Sequence, residues 1–111
     1  MIKENWNINN YQMQARKFAI YPEHMKIVYP ALGLAGEAGE VADKVKKIYR
    51  DGRDDSRFKG EIAQEIGDVL WYCAVLADDL GFSLQQIAEM NIYKLQCRRV
   101  KGTLTGDGDN R

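Results

Sequence analysis

The sequence predicts an all-α protein made of four helices in a single domain, residues 1–111. Only two of its 111 residues are proline. Its apolar residues recur every three or four positions over long stretches, which is the spacing of one helix face rather than the alternation of a strand. A chain of this length can enclose one hydrophobic core and leaves little room for a second domain.

The first helix is predicted from about residue 8 or 9 to residue 20, between an Asn cap and a Tyr-Pro pair that disfavours helix. One side of this helix carries Tyr11, Ala15, Phe18 and Ala19. Aromatic residues at helical spacing usually pack in a core, so we expect this side to be buried. The alternative is that Tyr11, Gln12 or Phe18 lines a pocket for a flat ligand.

The second and third helices are predicted over residues 30–50 and 58–80. Pro30 suits the first turn of a helix, where a missing N–H costs nothing, and Gly81 is a typical helix terminator. We expect the polar segment 51–57 between them to be a mobile loop. The apolar faces are Leu34, Ala38, Val41, Val45 and Ile48 in one helix and Ile62, Ile66, Val69, Cys73, Leu76 and Leu80 in the other.

The fourth helix is predicted to begin after Ser83, with Gln86 completing a capping box. Its apolar face should be Leu84, Ile87, Ala88, position 91 and Leu95. Position 91 is Asn91, and burying its amide without a partner would cost on the order of 1–3 kcal/mol. The tail, residues 102–111, has too little apolar content to fold alone, so it is either frayed or ordered by substrate or by a neighbouring subunit.

Composition argues against several classes of protein. Lys plus Arg and Asp plus Glu number 16 each, so no net charge favours nucleic acid or an anionic membrane. The longest apolar run, Val69–Ala77, has nine residues, whereas a membrane span needs about 20. No signal-peptide core is present, and we expect a cytoplasmic protein. Cys73 and Cys97 are predicted to be two buried thiols without a disulfide or zinc role.

A short pattern of paired acids occurs twice, as Glu37-Ala38-Gly39-Glu40-Val41 and as Glu65-Ile66-Gly67-Asp68-Val69. Residues three apart in a helix share a face, and each acid row lies beside the apolar face of its helix. Two packed helices could therefore direct both rows into one cleft, where four carboxylates would repel one another unless cations lay between them. The alternative is a pair of solvated helix faces.

Such a site would contain only oxygen ligands, which favours Mg²⁺, with Mn²⁺ as a possible substitute, over zinc or redox iron. Gly39 and Gly67 sit in mid-helix, where glycine costs about 1 kcal/mol relative to alanine. We expect a close approach of another helix or of a ligand to compensate for that cost.

Basic residues follow the acids, and they suggest that a polyphosphate completes the metal site. These residues are Lys44, Lys47, Arg50, Lys94 and Arg98. The alternative is ordinary pairing within a helix, as between Glu40 and Lys44.

These residues resemble the MazG-type nucleotide pyrophosphohydrolases of the all-α NTP pyrophosphatase superfamily, in particular small single-domain bacterial and phage members. The family signature, Glu-x-x-Glu followed by Glu-x-x-Asp, corresponds to Glu37, Glu40, Glu65 and Asp68. The resemblance covers nearly the whole chain, because it also includes Tyr11-Gln12, residues 29–36, Lys46-Lys47, Asn91-x-x-Lys94 and the ending Gly106-Asp107-Gly108-Asp109-Asn110-Arg111.

The resemblance implies Mg²⁺-dependent hydrolysis of a nucleoside triphosphate between its α and β phosphates, giving the monophosphate and pyrophosphate. The four acids would hold metal and act in catalysis, with Glu37 or Glu40 accepting a proton from water. The phosphates would be bound by Lys44, Lys47, Arg50, Asn91, Lys94 and Arg98. The resemblance also implies a four-helix bundle completed by homo-oligomerisation, as a dimer or tetramer, and a host-cytoplasm location if the gene belongs to a phage.

Two other functions fit the same residues. The first is a narrower activity within the superfamily, on dUTP or on phosphoribosyl-ATP. The second is a non-catalytic helical dimerisation module whose acids face solvent. Base and sugar preference do not follow from the sequence, although Trp6, Tyr11, Phe18, Trp71 and Tyr72 are available to stack on a base.

Overall fold

A computed structural model describes residues 5–53 and 56–111. It contains four α-helices, α1 (Ile8–Arg16), α2 (Val28–Asp51), α3 (Arg57–Asp79) and α4 (Leu84–Lys101), and a short 3₁₀ turn at Glu23–Met25. No strand occurs in these two segments, which confirms the all-α prediction. The predicted loop 51–57 is reduced to the connection between α2 and α3, and its residues 54 and 55 lie outside the described residues.

α1 begins where the sequence predicts and ends four residues early. Its cap is Asn7, whose side chain accepts a hydrogen bond from the Asn10 N–H (3.0 Å), while the Asn10 side chain accepts one from the Asn7 N–H (2.9 Å). After Arg16 the backbone N–H groups bond three residues back rather than four, which tightens the chain into a turn. Phe18 is 71% exposed, so the prediction that it belongs to the core is wrong.

The other helix ends follow local sequence signals. Pro30 lies in the first turn of α2, as predicted, and Gly52 ends this helix with a left-handed φ of 64°. Ser83 and Gln86 form the predicted capping box of α4, with the Gln86 N–H 3.0 Å from Ser83 Oγ. Gly81, also at positive φ, follows α3.

α2 and α3 form a long helical hairpin, and α1 packs against α3. The buried core is small and lies where α1, the end of α3 and the start of α4 meet. Its members are Ala15, Ala74, Ala77 and Leu84, with Ile8, Tyr11, Trp71 and Cys73 packed against them. Both cysteines are free and only partly buried, so the prediction of fully buried thiols is wrong.

Gln12 holds the three helices of this core together. Its Nε2 donates to the carbonyls of Ala74 (3.1 Å) and Phe82 (3.0 Å), and its Oε1 accepts from the Leu84 N–H (3.0 Å). These bonds satisfy a buried amide, and two of them use backbone groups of the α3–α4 turn, the Phe82 carbonyl and the Leu84 N–H, that helical bonds leave unpaired. Gln12 therefore has a structural role in this core.

Large apolar surfaces remain uncovered in the single chain. On α4 the exposed residues are Ile87, Met90, Ile92, Tyr93, Leu95 and Val100, and on the α2–α3 hairpin they are Leu32, Val45, Tyr49, Ile66 and Leu70. The radius of gyration is 16.9 Å, against about 13 Å for a compact chain of about this length. Leu84 is buried as predicted, but the rest of the predicted α4 face, including Ile87 and Leu95, is exposed in the single chain, so its predicted burial is wrong.

The sequence has no apolar run long enough for a membrane span, and the helices agree with this. None of the helices within the described segments combines the length and the apolar character that a bilayer span requires.

Candidate metal and phosphate site

Three carboxylates from facing helices converge on one point of the α2–α3 hairpin. Oxygens of Glu37, Glu65 and Asp68 all lie within 4.8 Å of one another. Glu37 comes from α2, and the other two lie one turn apart on α3, since a spacing of three keeps both on the face that meets α2. The hairpin therefore brings together three of the four acids singled out in the sequence.

The electrostatics of this acid cluster are unfavourable in the absence of a cation. The pKa of Glu37 is raised, first by burial and then by the charges of Asp68, Glu65 and Glu40. The nearest compensating base is Lys44, whose Nζ lies 3.7 Å from Glu65 Oε1. Among the described residues, no basic group lies within ion-pair distance of Glu37 or Asp68. A divalent cation would remove this repulsion.

Glu40 lies one turn along α2 from Glu37, and its carboxylate stands outside the cluster. It is exposed and borders an adjoining cleft of about 340 Å³ between the two helices. The cleft is lined mainly by charged residues, namely Glu40, Asp43, Lys44, Lys47, Asp51, Arg53, Glu61 and Glu65. It is therefore a polar groove that leads away from the acid cluster.

The α2 bases that the sequence singles out lie in or beside this groove, and each of them has an acidic partner. Lys44 pairs across the hairpin with Glu65 rather than with Glu40 in its own helix. Lys47 pairs with Asp43 at 2.8 Å. Arg50 pairs with its neighbour Asp51 at 2.7 Å and does not line the groove.

Sequence reasoning missed two charged residues of the groove, Asp43 and Arg53. Asp43 pairs with Lys46 and Lys47, and Arg53 pairs at 3.0 Å with Glu61, which lies one turn before Glu65 on α3. The helical spacing of Asp43 to the two lysines could have identified it. Nothing in the sequence singled out Arg53, because its partner lies across the connection between α2 and α3.

The mid-helix glycines do not mark a contact between helices. A Cβ added at Gly39 or Gly67 would meet nothing within 4 Å among the described residues, so no other helix of the described segments makes the predicted close approach there. The close approach lies instead at Gly33, where an added Cβ would fall 2.1 Å from the Tyr72 ring. Gly33 therefore makes room for an aromatic side chain beside the acid cluster.

The three α4 residues predicted to bind phosphate lie apart from the acids. Asn91 is exposed, so it is not the buried amide that its place in the sequence suggests. Lys94 and Arg98 line a separate cleft, where both pair with Asp109 of the tail at 3.2 Å. Within a single chain, three of the acids therefore lie together, while Lys94 and Arg98 lie in a different cleft.

The donors present at the acid cluster suit a hard divalent cation. They are carboxylate oxygens without a neighbouring histidine or thiolate, which is the ligand set that Mg²⁺ and Mn²⁺ prefer. Three ligands leave coordination positions for water and phosphate oxygens, as Mg²⁺ sites in phosphoryl-transfer enzymes usually do.

Comparison with known proteins agrees with this geometry. Residues 30–102, which contain all four signature acids, match the family described as the MazG nucleotide pyrophosphohydrolase domain. The Gene 37 protein of Mycobacterium phage L5 is 41% identical over 113 aligned positions, covering 95% of this chain and 99% of the phage protein. The uncharacterized protein YvdC of Bacillus subtilis (strain 168) is 38% identical over 72 positions, covering 59% of this chain and 68% of YvdC.

No solved structure matches the chain significantly. The family match covers more than half of the chain and the phage protein aligns over nearly all of it. The chain therefore belongs to the MazG nucleotide pyrophosphohydrolase family.

Proposed function

We propose that the protein hydrolyses nucleoside or deoxynucleoside triphosphates between the α and β phosphates, giving a monophosphate and pyrophosphate, with Mg²⁺ as its cofactor. The observation that carries this proposal is the convergence of Glu37, Glu65 and Asp68 within 4.8 Å, in a chain of this family. Mn²⁺ has the same ligand preference and should substitute.

Each residue of the hairpin has a distinct role in this proposal. Glu37, Glu65 and Asp68 hold the metal, which when bound polarises a phosphate oxygen and lowers the pKa of a water. Glu40, whose carboxylate lies outside the cluster, accepts the proton that the attacking water loses. As the α–β bond breaks, Lys44 and Lys47 offset the negative charge that develops on the pyrophosphate leaving group, and Arg50 adds positive charge at the end of the groove.

The remaining bases, on α4, are proposed to reach the acid cluster through a second copy of the chain. The exposed apolar residues of α4 and of the hairpin support association as a homodimer or homotetramer. In that assembly Asn91, Lys94 and Arg98 of one chain contact the phosphates bound at the acids of another. The site is incomplete without the second copy.

Release of pyrophosphate tests the reaction. With Mg²⁺ and a panel of nucleotides that includes dUTP and phosphoribosyl-ATP, the protein should yield monophosphate and pyrophosphate. Asp68→Asn should lower the rate by at least about a hundredfold, since a carboxylate that binds metal is lost. Glu23→Gln, whose side chain is 83% exposed in the turn before α2, is the control and should keep full activity.

The outcomes distinguish the competing functions. Formation of diphosphate and free phosphate would refute the proposed bond cleavage. Absence of Mg²⁺ binding by calorimetry, together with absence of hydrolysis, would favour the non-catalytic dimerisation module. Activity on a single member of the panel would identify the narrower enzyme.

Mixing two inactive variants tests whether a second copy of the chain contributes Lys94 to the site. Asp68→Asn and Lys94→Ala should each be inactive, and refolding them together should restore roughly a quarter of the wild-type activity. Half of a random dimer population is mixed, and one of its two sites then has both residues intact. Activity that stays at the level of the separate variants would show that Lys94 acts within its own chain or not at all.

A further inference from the structure

The tail is folded onto its own α4. α4 ends at Gly102, and the chain then turns back so that Arg111 donates to the carbonyls of Thr103 (2.9 Å) and Leu104 (3.1 Å). Gly108 permits the turn through a φ of 76° and also accepts a hydrogen bond from Arg111. The sequence alone suggests a frayed tail or one ordered by another molecule, whereas these bonds are internal.

This folded tail places a carboxylate on two of the proposed phosphate-binding residues. Asp109 Oδ1 lies 3.2 Å from both Lys94 Nζ and Arg98 Nη2. The carbonyls of Gly108 and Asp109 also accept from Arg98 Nη2, at 3.3 and 3.1 Å. These two bases lower the pKa of Asp109, so the contact is one between charges at neutral pH.

The tail satisfies Arg98 only in part. The Arg98 side chain is 6% exposed, yet its Nε is buried without a hydrogen-bond partner among the described residues. A guanidinium presents Nε and an Nη as a fork that fits two oxygens of one phosphate, and a single Asp109 oxygen shared with Lys94 does not fill that fork. An unfilled donor on a buried cation indicates a better ligand than the tail.

The surroundings favour an anion over other ligands. A cleft of about 300 Å³ is lined by four basic residues and one acid, together with Tyr93, Cys97 and Asn110. The charged members are Lys94, Arg98, Lys101, Arg111 and Asp109. Within the described segments, Lys101 has no acid at ion-pair distance. One carboxylate therefore leaves an excess of positive charge in the cleft.

We propose that the tail is an internal competitor for polyphosphate: Asp109 occupies Lys94 and Arg98 in the empty protein and leaves when a diphosphate or triphosphate group binds there. The inference rests on the proposed function, in which these two bases bind phosphate. Because the Arg98 side chain is 6% exposed and three oxygens of the tail accept from its Nη2, a polyphosphate reaches the guanidinium only when the tail lifts. Residues 103–111 thus act as a strap whose release accompanies substrate binding.

Pyrophosphate binding in EDTA tests this strap without depending on hydrolysis or on the acid cluster. Asp109→Asn should bind pyrophosphate about three- to tenfold more tightly than wild type by calorimetry, since one charged competitor is removed. Asp107→Asn makes the same charge change outside the cleft and should bind as wild type does. Lys94→Ala should weaken binding.

Hydrogen exchange of peptide 103–111 should accelerate when pyrophosphate is added to wild type.

Equal or weaker binding by Asp109→Asn would overturn the proposal, because Asp109 would then be neutral for the ligand or part of its site. Hydrogen exchange of the tail that does not change when pyrophosphate binds would also overturn it. So would a pyrophosphate affinity that Lys94→Ala does not lower. A protein that lacks triphosphate hydrolysis yet shows the expected pyrophosphate competition would refute the proposed function and leave the strap in place.

Discussion

α3 carries two groups of acids whose surroundings differ sharply. At its end, the Asp79 side chain is 0% exposed and accepts hydrogen bonds from Arg16 Nη1 (2.7 Å), Tyr21 Oη (2.7 Å) and the Ile27 N–H (2.9 Å). In the middle of the helix, Glu65 and Asp68 face Glu37 with one lysine nearby. Asp79 thus has three hydrogen-bond donors within the chain, whereas Glu65 and Asp68 face a third carboxylate with only Lys44 to balance their charge.

The pKa values follow this difference. Burial acts to raise the pKa of Asp79, but the bonds from Ile27, Tyr21 and Arg16 outweigh it and hold the pKa below its usual range. The pKa of Glu37 moves the other way, because burial and neighbouring carboxylates both raise it. Asp79 is thus a structural acid, whereas the cluster lacks partners within the chain for the charges that the proposed metal would balance.

Asp79 also fixes the entry to α2. Ile27 caps that helix with a φ of 69°, which is an uncommon and strained value for a β-branched residue. Its N–H is held by Asp79, and Tyr21, another Asp79 partner, stacks on Tyr29 at 5.0 Å. The structural acid therefore sets the start of the helix that carries Glu37.

Removing the structural acid should have the largest effect on stability. Asp79→Ala should lower the free energy of unfolding by about 3 kcal/mol at pH 7, since it leaves Arg16 without its main partner and releases Ile27. Chemical denaturation checks this. Asp78→Ala is the matched control, because Asp78 is 48% exposed and binds the same Arg16 at 3.3 Å, and it should cost less than about 1 kcal/mol.

The pH dependence of that difference follows from the lowered pKa of Asp79. A carboxyl whose pKa is lower in the folded state contributes its full stability above its unfolded pKa of about 3.9, and the contribution is lost as pH falls through the folded value. The gap between wild type and Asp79→Ala should therefore be constant near neutrality and narrow below about pH 4. A gap that widens on acidification would contradict the role of Asp79 as a charged acceptor.

Neutralising an acid of the cluster should have a smaller effect of opposite sign. In EDTA, Asp68→Asn should raise the melting temperature by about 2 °C, because it relieves repulsion among the clustered carboxylates of Glu37, Glu65 and Asp68. Thermal melts should also show that Mg²⁺ stabilises wild type but not this variant. A variant less stable than wild type without metal would mean that Asp68 has a structural role, as Asp79 does.

The sequence alone was sufficient for features that depend on neighbours a few residues apart. It identified the four helices, the Asn cap of α1, the capping box of Ser83 and two acid rows beside apolar faces, because helical hydrogen bonds and side-chain periodicity are local. The paired acids were recognisable for the same reason, since a spacing of three fixes a shared face. Most of the candidate site was therefore predictable as a list of residues.

Only the tertiary structure decided which of those residues meet. It joined Glu37 to Glu65 and Asp68 while leaving the Glu40 carboxylate outside, and it gave Asp79 and Asp109 partners that are distant in the sequence or lie across a turn. It also left the α4 face beyond Leu84 exposed, although spacing predicted its burial. The physical reason is common to all three: a helix face is encoded locally, but its partner depends on non-local packing.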